Sequence, residues 1–413
     1  MTKPKAFPGR INISVPPENP HVLIPYLSGM DADSVHSKVI KLKGALTNVI
    51  YKVSIPNGDG SSKNYLVRIY GAQDDSIVNR DKEFETLSRL PPNMSIIHII
   101  FCFNNGRVEE FYDNYRHIKG FEMRDRVNLR RVAHRFKELH QLVPLTEEEK
   151  SIYSLDGISD GKNNLGNMFK CFSWDKLLDW IEVIDTQHQW ASANKYANIK
   201  QTLLCPDWLT FKNVVHRYRS WLIENDTQSF EMVRFCHNDA QHGNIMLNDA
   251  LGGPITDLVL IDFEYAGAGV VYFDIANFFS ECMHDYDSDC SYVCDGSKFP
   301  TSEEIMFFLR CYFMHLGDTN TQTDPNEEDL KRSHNSIIRW RASAQLFWGV
   351  WAVLQSGVLG SHINKEKHEE DFNYLMFCRG KMAYFWGDML KLGIVSENEC
   401  IVSEAKYLQT GLL

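Results

Sequence analysis

The sequence predicts an α+β fold, with a small lobe built on an antiparallel sheet followed by a larger, mainly helical lobe. Three observations carry this. Alternating, β-branched runs fill "VIKLKGALTNVIYKVSI" and "KNYLVRIYG" and are parted by the turn-forming "PNGDGSS". A second extended pair, "IIHIIFCFNNGRVEEFY", is turned at Asn105-Gly106. From residue 128 onward the period changes to that of helices, beginning with "NLRRVAHRFKELHQL".

In chain order, residues 1–36 are rich in proline and polar residues and are expected to form a tail, with a short helix near its end. Residues 37–113 form the first lobe. Between its two strand pairs, "SIVNRDKEFETLSRL" has helical spacing with Val78, Phe84 and Leu87 or Leu90 as inward positions. Residues 114–413 form the second lobe, in which "WDKLLDWIEVI" and "TFKNVVHRYRSWLIEN" are further expected helices. The stretch from 145 to 205 otherwise shows no clear period, and no internal repeat is present.

The chain has 413 residues, is 44% hydrophobic and carries a formal net charge of −11, so an ordinary folded protein fits and wholesale disorder does not. No basic field or local Lys/Arg cluster offers itself to a nucleic-acid backbone or an anionic membrane. The start lacks the apolar centre of a secretory signal, and no apolar run approaches the roughly 18 residues of a membrane span. A cytoplasmic protein that is not integral to a membrane is the expectation. Ten cysteines without a repeated pair spacing suit reduced, buried thiols. His284, Cys290 and Cys294 could be drawn as a metal site, but the cluster lacks a fourth ligand.

The chemistry concentrates in "RFCHNDAQHGNIML", residues 234–247. His237, Asp239 and Asn244 stand at relative positions 0, +2 and +7 between two apolar runs, and "DLVLIDF" follows with Asp262. Phosphoryl transfer needs one carboxylate facing the acceptor hydroxyl and hard oxygen ligands facing Mg2+. Asp239, followed by Asn244 and Asp262, has the order of the kinase catalytic loop and metal-binding aspartate. If these residues merely capped turns, Asp262 would not be anticipated. His237 is expected to brace the loop. An ordinary protein kinase is excluded: the Gly-rich loop, "VAIK" and the Ala-Pro-Glu segment are missing, and "FEY" follows Asp262.

Seven ordered segments resemble the choline/ethanolamine kinase family: "GALTN" (44–48), "LVRIYG" (66–71), "NGRVEEF" (105–111), "HNDAQHGNIML" (237–247), "LIDFEY" (260–265), "YFDIANFFSE" (272–281) and "FWGVW" (347–351). The resemblance implies a protein-kinase-like two-lobed fold and an ATP-dependent phosphotransferase with an alcohol acceptor. Under it, Asp239 is the catalytic base or hydroxyl orienter, with Gln241 in the same loop, and Asn244 and Asp262 hold Mg2+. Arg68 contacts the ATP phosphates, a task its planar fork suits; Glu83 could pair with it. Thr47 and Asn48 lie in a loop over the nucleotide, and "EEF" at 109–111, with Glu110 and Phe111, is the hinge that meets adenine. Glutamine is common in the family at the position of Glu110, which makes an adenine contact by that side chain doubtful while leaving backbone contacts possible.

Choline carries a quaternary ammonium, which donates no hydrogen bond and is best held by aromatic faces with a carboxylate nearby. Trp348 and Trp351 share a helical face, with Trp340 about two turns earlier. Alone such a pair means core packing; the resemblance makes it an ammonium pocket, with Tyr265, Glu281, Tyr286, Tyr374 and Phe377 as further members. Asp274 is expected to brace the catalytic loop. Phe377 replaces a tyrosine usual in choline kinases, and Cys282 replaces a familiar tryptophan. Gln241 favours choline over ethanolamine, because ethanolamine kinases usually differ there. The alternatives are an ethanolamine kinase and a catalytically silent binding module. A homodimer is expected from the resemblance.

Overall fold

A computed structural model of the protein describes residues 9–29, 36–42, 48–70, 85–87, 89–91, 99–153, 171–186, 201–248, 258–314, 325–357 and 372–413. The chain divides into two compact units. One comprises residues 1–116 and 246–264, the other residues 117–245 and 265–413.

The first unit is built on a five-stranded antiparallel sheet in the order β1-β2-β3-β5-β4, with β1 Lys38–Leu42, β2 Asn48–Pro56, β3 Ser62–Tyr70, β4 Ile99–Phe103 and β5 Gly106–Glu110. The alternation in the sequence is the reason. Tyr51, Val53 and Ile55 of β2 and Tyr65, Val67 and Ile69 of β3 bury one set of side chains in a shared core. The expected turn between β2 and β3 closes through Asn57 N–H donating to the Ser61 carbonyl at 2.7 Å, with Gly60 at φ +85°. Gly106 opens β5 because nothing larger fits: a Cβ there would lie 2.2 Å from the Arg68 carbonyl oxygen and 2.4 Å from the Phe103 ring.

The leading segment is no loose tail. Ile11 N–H donates to the Cys102 carbonyl at 2.9 Å, and Val15 and Asn105 exchange two hydrogen bonds of 2.8 Å through the asparagine amide. Val15, Leu23 and Ile24 sink into the sheet core beside Val53, Val67 and Val108, with Ile24–Ser28 forming the short helix α1. Proline and polar composition hid this, because a strap needs only a few apolar anchors. Of the helix expected over 76–90, residues 85–87 are helical; Val78, Glu83 and Phe84 lie outside the described residues. The first unit also receives most of β8 (Ile245–Asn248) and β9 (Leu258–Leu260), which adjoin β6 (Tyr115–His117) in a three-stranded sheet of order β6-β8-β9.

The second unit is helical. In order it holds α2 (Arg126–Leu142), α3 (Glu147–Tyr153), α4 (Phe172–Thr186), α5 (Trp208–Asn225), α6 (Val271–Glu281), α7 (Ser302–Phe313), α8 (Glu327–Gln355) and α9 (Tyr374–Lys391), with an antiparallel pair β7 (Val233–Cys236) and β10 (Gly267–Val270). Local caps set several starts: Asp207 accepts from Thr210 N–H, and Thr301 with Glu304 forms a reciprocal capping box. Every residue of α6 is buried, and α8 packs against both α6 and α9. Trp340 serves this core: its indole N–H donates to buried Asp226 at 2.9 Å.

All ten cysteines are free thiols and nine are buried. No helix among the described residues is long and apolar enough to cross a membrane.

Candidate active site

The loop after β7 is held from below by one carboxylate. Asp274, at the start of α6, accepts the backbone N–H of His237 on Oδ2 at 2.9 Å and that of Asn238 on Oδ1 at 2.8 Å. His140 of α2 contacts the same carboxylate through Nε2 at 3.0 Å, while its Nδ1 meets the Tyr312 hydroxyl at 2.9 Å. Two buried backbone amides bonded to one carboxylate leave the loop backbone locked rather than merely packed. Asn238 sits at φ 62°, a left-handed conformation tolerated by short polar side chains. Its amide donates to the Tyr265 carbonyl at 2.9 Å.

This clamp presents Asp239 and Asn244 together. The Asn244 amide nitrogen donates to both the backbone carbonyl and Oδ2 of Asp239, each at 2.8 Å, which leaves its amide oxygen as the atom available to a hard cation. His237 braces as expected, its Nδ1 accepting from Asp239 N–H at 3.2 Å. Gln241 caps the short turn 242–244, and Gly243 N–H lies 3.4 Å from its side-chain oxygen.

In the sheet unit, Arg68 of β3 is buried and points into a set of carboxylates. Its Nη1 lies 3.2 Å from Asp262 Oδ2 and its Nε 3.6 Å from Glu109 Oε1, and Glu109 also pairs with Arg107. Glu109 is therefore a described partner of Arg68; the alternative, Glu83, falls outside the described residues. Asp262 adopts φ 64°, the same left-handed conformation as Asn238, which its short polar side chain tolerates. Glu110 is exposed at the end of β5. Phe111 N–H donates to the Asn64 carbonyl at 3.3 Å, and the Phe111 ring lies 4.1 Å under the Lys52 ammonium. Asn48 opens β2 and is buried; Thr47 lies outside the described residues.

The aromatic candidates form one continuous series within the helical unit. Tyr265 meets Trp348 (ring centroids 5.2 Å), Trp348 meets Trp351 (5.4 Å), and Trp351 meets Tyr374 (5.7 Å), all edge to face. Tyr374 continues to Phe372 (5.1 Å), Phe372 to Phe377 (5.3 Å), and Phe377 to Tyr286 (6.5 Å). The Trp348 indole N–H donates to Asn277 Oδ1 at 2.7 Å, and Asn277 Nδ2 donates in turn to the Asn238 carbonyl at 3.2 Å, linking the ring series to the loop. Glu281 is buried at the end of α6. Its Oε2 accepts from the Tyr286 hydroxyl at 2.7 Å and its Oε1 from Lys381 Nζ at 2.9 Å. Burial works against the carboxylate charge, but Lys381 outweighs it and holds the group down at about 2.

The structure thus brings Asp239, Gln241 and Asn244 together in the helical unit, gathers Tyr265, Trp348, Trp351, Tyr374, Phe377, Tyr286 and Glu281 in the same unit, and pairs Arg68 with Asp262 in the sheet unit. Sequence reasoning missed Asn277, His140, Lys381 and Phe372, and missed Glu109 as the partner of Arg68. None carried a spacing signal, since each acts on a partner distant in the chain. His140, Cys236 and Asp274 are the one group among the described residues close enough to share a metal ion. The group acts as a brace: Asp274 is spent on the loop, Cys236 points its thiol at the Gly269 carbonyl, and burial pushes that thiol well above its ordinary value. His284, Cys290 and Cys294 form no such group, and Cys290 is exposed.

The choline/ethanolamine kinase family model matches residues 39–386. The chain is 32% identical to a choline kinase of Saccharomyces cerevisiae, over 91% of this chain and 74% of that protein. It is equally 32% identical to an ethanolamine kinase of the same yeast, over 90% of this chain and 74% of the relative. Among solved structures, an ethanolamine kinase of Plasmodium vivax superposes with a TM-score of 0.65 at 20% identity, covering 87% of this chain and 85% of that one. A choline kinase of Cryptosporidium parvum gives 0.63 at 17% identity, covering 92% and 96%. These two likenesses speak for the fold.

Proposed function

The chain belongs to the choline/ethanolamine kinase family, with its protein-kinase-like fold, and is an ATP-dependent kinase that phosphorylates an alcohol; from that premise we propose that its principal acceptor is choline and its product phosphocholine, the first step of the CDP-choline route to phosphatidylcholine. The observation that carries the choice is the series of rings from Tyr265 through Trp348, Trp351, Tyr374 and Phe372 to Phe377 and Tyr286. Ring faces attract a cation that has no N–H to satisfy.

In this reading Asp239 orients the choline hydroxyl and takes its proton, the hydroxyl oxygen bonds to the γ-phosphorus, and the bond to the β–γ bridging oxygen breaks to release ADP. Arg68 steadies the phosphates. Asn48 with Thr47 covers the nucleotide, and the Glu110-Phe111 hinge borders adenine. The donors at Asn244 and Asp262 are hard oxygens and fit Mg2+, which would neutralise phosphate charge. Gln241 shapes the turn between Asp239 and Asn244 and so the acceptor side of the loop. A cytoplasmic homodimer completes the proposal.

The test compares kcat/KM for choline and ethanolamine with purified protein and Mg-ATP. Choline is expected to be favoured at least about tenfold; a preference for ethanolamine would assign the chain to the other branch of its family, to which its identity is equal. Asp239→Ala should lower kcat about 10²- to 10⁴-fold with ATP binding retained.

A further inference from the structure

Lys381 is a buried cation inside the aromatic series. It sits on α9 with no solvent exposure, its Nζ 2.9 Å from Glu281 Oε1 and 5.1 Å from the Phe377 ring centroid. The second Glu281 oxygen is taken by the Tyr286 hydroxyl. Both oxygens of Glu281, the carboxylate that meets Tyr286 and Lys381, are therefore engaged among the described residues, and its charge is balanced by an ammonium belonging to the protein.

That arrangement has a consequence for the acceptor. A primary ammonium leaving water must find an acceptor for each of three N–H groups, or lose the hydrogen bonds it had. A quaternary ammonium has none to satisfy and is held by ring faces alone. We propose that Lys381 is a specificity-determining residue: by occupying Glu281 it withholds that carboxylate from the substrate and leaves the rings to select a fully methylated ammonium over a primary one. The inference rests on the reading of this ring series as the acceptor site. Lys381 acts through Glu281, as a positioning residue.

The experiment measures kcat/KM for ethanolamine, its N-methyl and N,N-dimethyl derivatives and choline, in the wild type, Lys381→Met and Lys381→Arg. Thermal melting and the KM for ATP check that each variant is folded. In the wild type, kcat/KM should rise with every methyl group, because each removes an N–H that lacks an acceptor. Lys381→Met releases Glu281 Oε1 and should shrink the choline-to-ethanolamine ratio at least about tenfold, chiefly through the two KM values; Lys381→Arg, which keeps the ion pair, should restore it. A folded Lys381→Met whose ratio stays within about twofold of wild type overturns the proposal, as does a flat or descending wild-type series. Should Lys381→Met not fold, the wild-type series and Lys381→Arg decide, and loss of the methyl gradient in folded Lys381→Arg counts against it. Wild-type protein with no choline-dependent turnover would instead sink the acceptor reading itself, and this inference with it.

Discussion

Asp274 touches no residue named for the reaction by its side chain, yet it holds the backbone amides of His237 and Asn238 and meets His140. Asp274→Asn keeps the volume, loses the charge and replaces one acceptor with a donor facing an N–H. It should cost about 2–3 kcal/mol in urea unfolding and lower kcat for choline and ethanolamine in parallel, since the loop serves either acceptor. Unequal losses would place Asp274 in acceptor recognition. A second residue-scale prediction concerns His284, which is buried and stacked on Tyr286 at 5.3 Å. Burial, with the Lys381 ammonium beside it, lowers it to about 3, so it is neutral at pH 7. The unfolded chain binds the His284 proton near pH 6.5 and the folded chain only near 3, so the unfolded state holds more protons between these values and stability falls as pH falls through that window. Glu281, lowered to about 2, adds its own loss only below about pH 4.5. His284→Phe should therefore flatten the decline of stability between about pH 6.5 and 4.5, by about 2–3 kcal/mol over those two units. Equal slopes in the two proteins would show that His284 is not buried neutral. At the residue scale, Asp239 and Asn244 stand out in the sequence because one loop carries them five residues apart, and Asp262 because it ends the next apolar run. Lys381 does not: a lone lysine in a helix usually lies at the surface, and only the fold brings it to Glu281.

The β4–β5 hairpin contributes to stability and, in the proposed reading, to the nucleotide side. Its Asn104–Asn105 turn receives the leading strap, and Gly106 lets β5 pass against the β3 carbonyl at Arg68. Gly106→Ala forces that carbonyl and the Phe103 ring apart. The expected cost is about 1–3 kcal/mol, together with a raised KM for ATP and an unchanged KM for choline. A shift in the choline KM alone would place the strain elsewhere. The strands were readable from their alternation and a turn from the Asn-Asn-Gly run, but the turn pair is Asn104–Asn105, one residue before the expected Asn105-Gly106, because Gly106 already pairs with Phe103 in the ladder. The pairing of Arg68 with Glu109 was not readable, because β3 and β5 are brought together by sheet order and not by sequence proximity. α8 gives the opposite lesson: Trp340, Trp348 and Trp351 look alike along the helix, and only their partners separate Trp340, bonded to Asp226, from Trp348, bonded to Asn277.

For the molecule as a whole, the leading residues decide how it should be handled. A chain lacking residues 1–29 loses Val15, Leu23 and Ile24 from the sheet core and uncovers the backbone of β4. It should melt several degrees lower and be cleaved first within the sheet unit; melting and proteolytic resistance equal to the full chain would return those residues to the status of a tail. What the sequence by itself determined is the α+β class, the order of sheet before helices, the loop that carries Asp239 and Asn244, and the family. Those follow from periodicity and short-range spacing, which the chain states locally. The tertiary structure alone decided which oxygens are already engaged. Glu281 and Lys381 are 100 residues apart, Arg68 and Asp262 are 194 apart, and His140 and Asp274 are 134 apart. Hydrogen bonds and charges act over a few ångströms, so their partners are set by packing, and spacing along the chain does not reveal them.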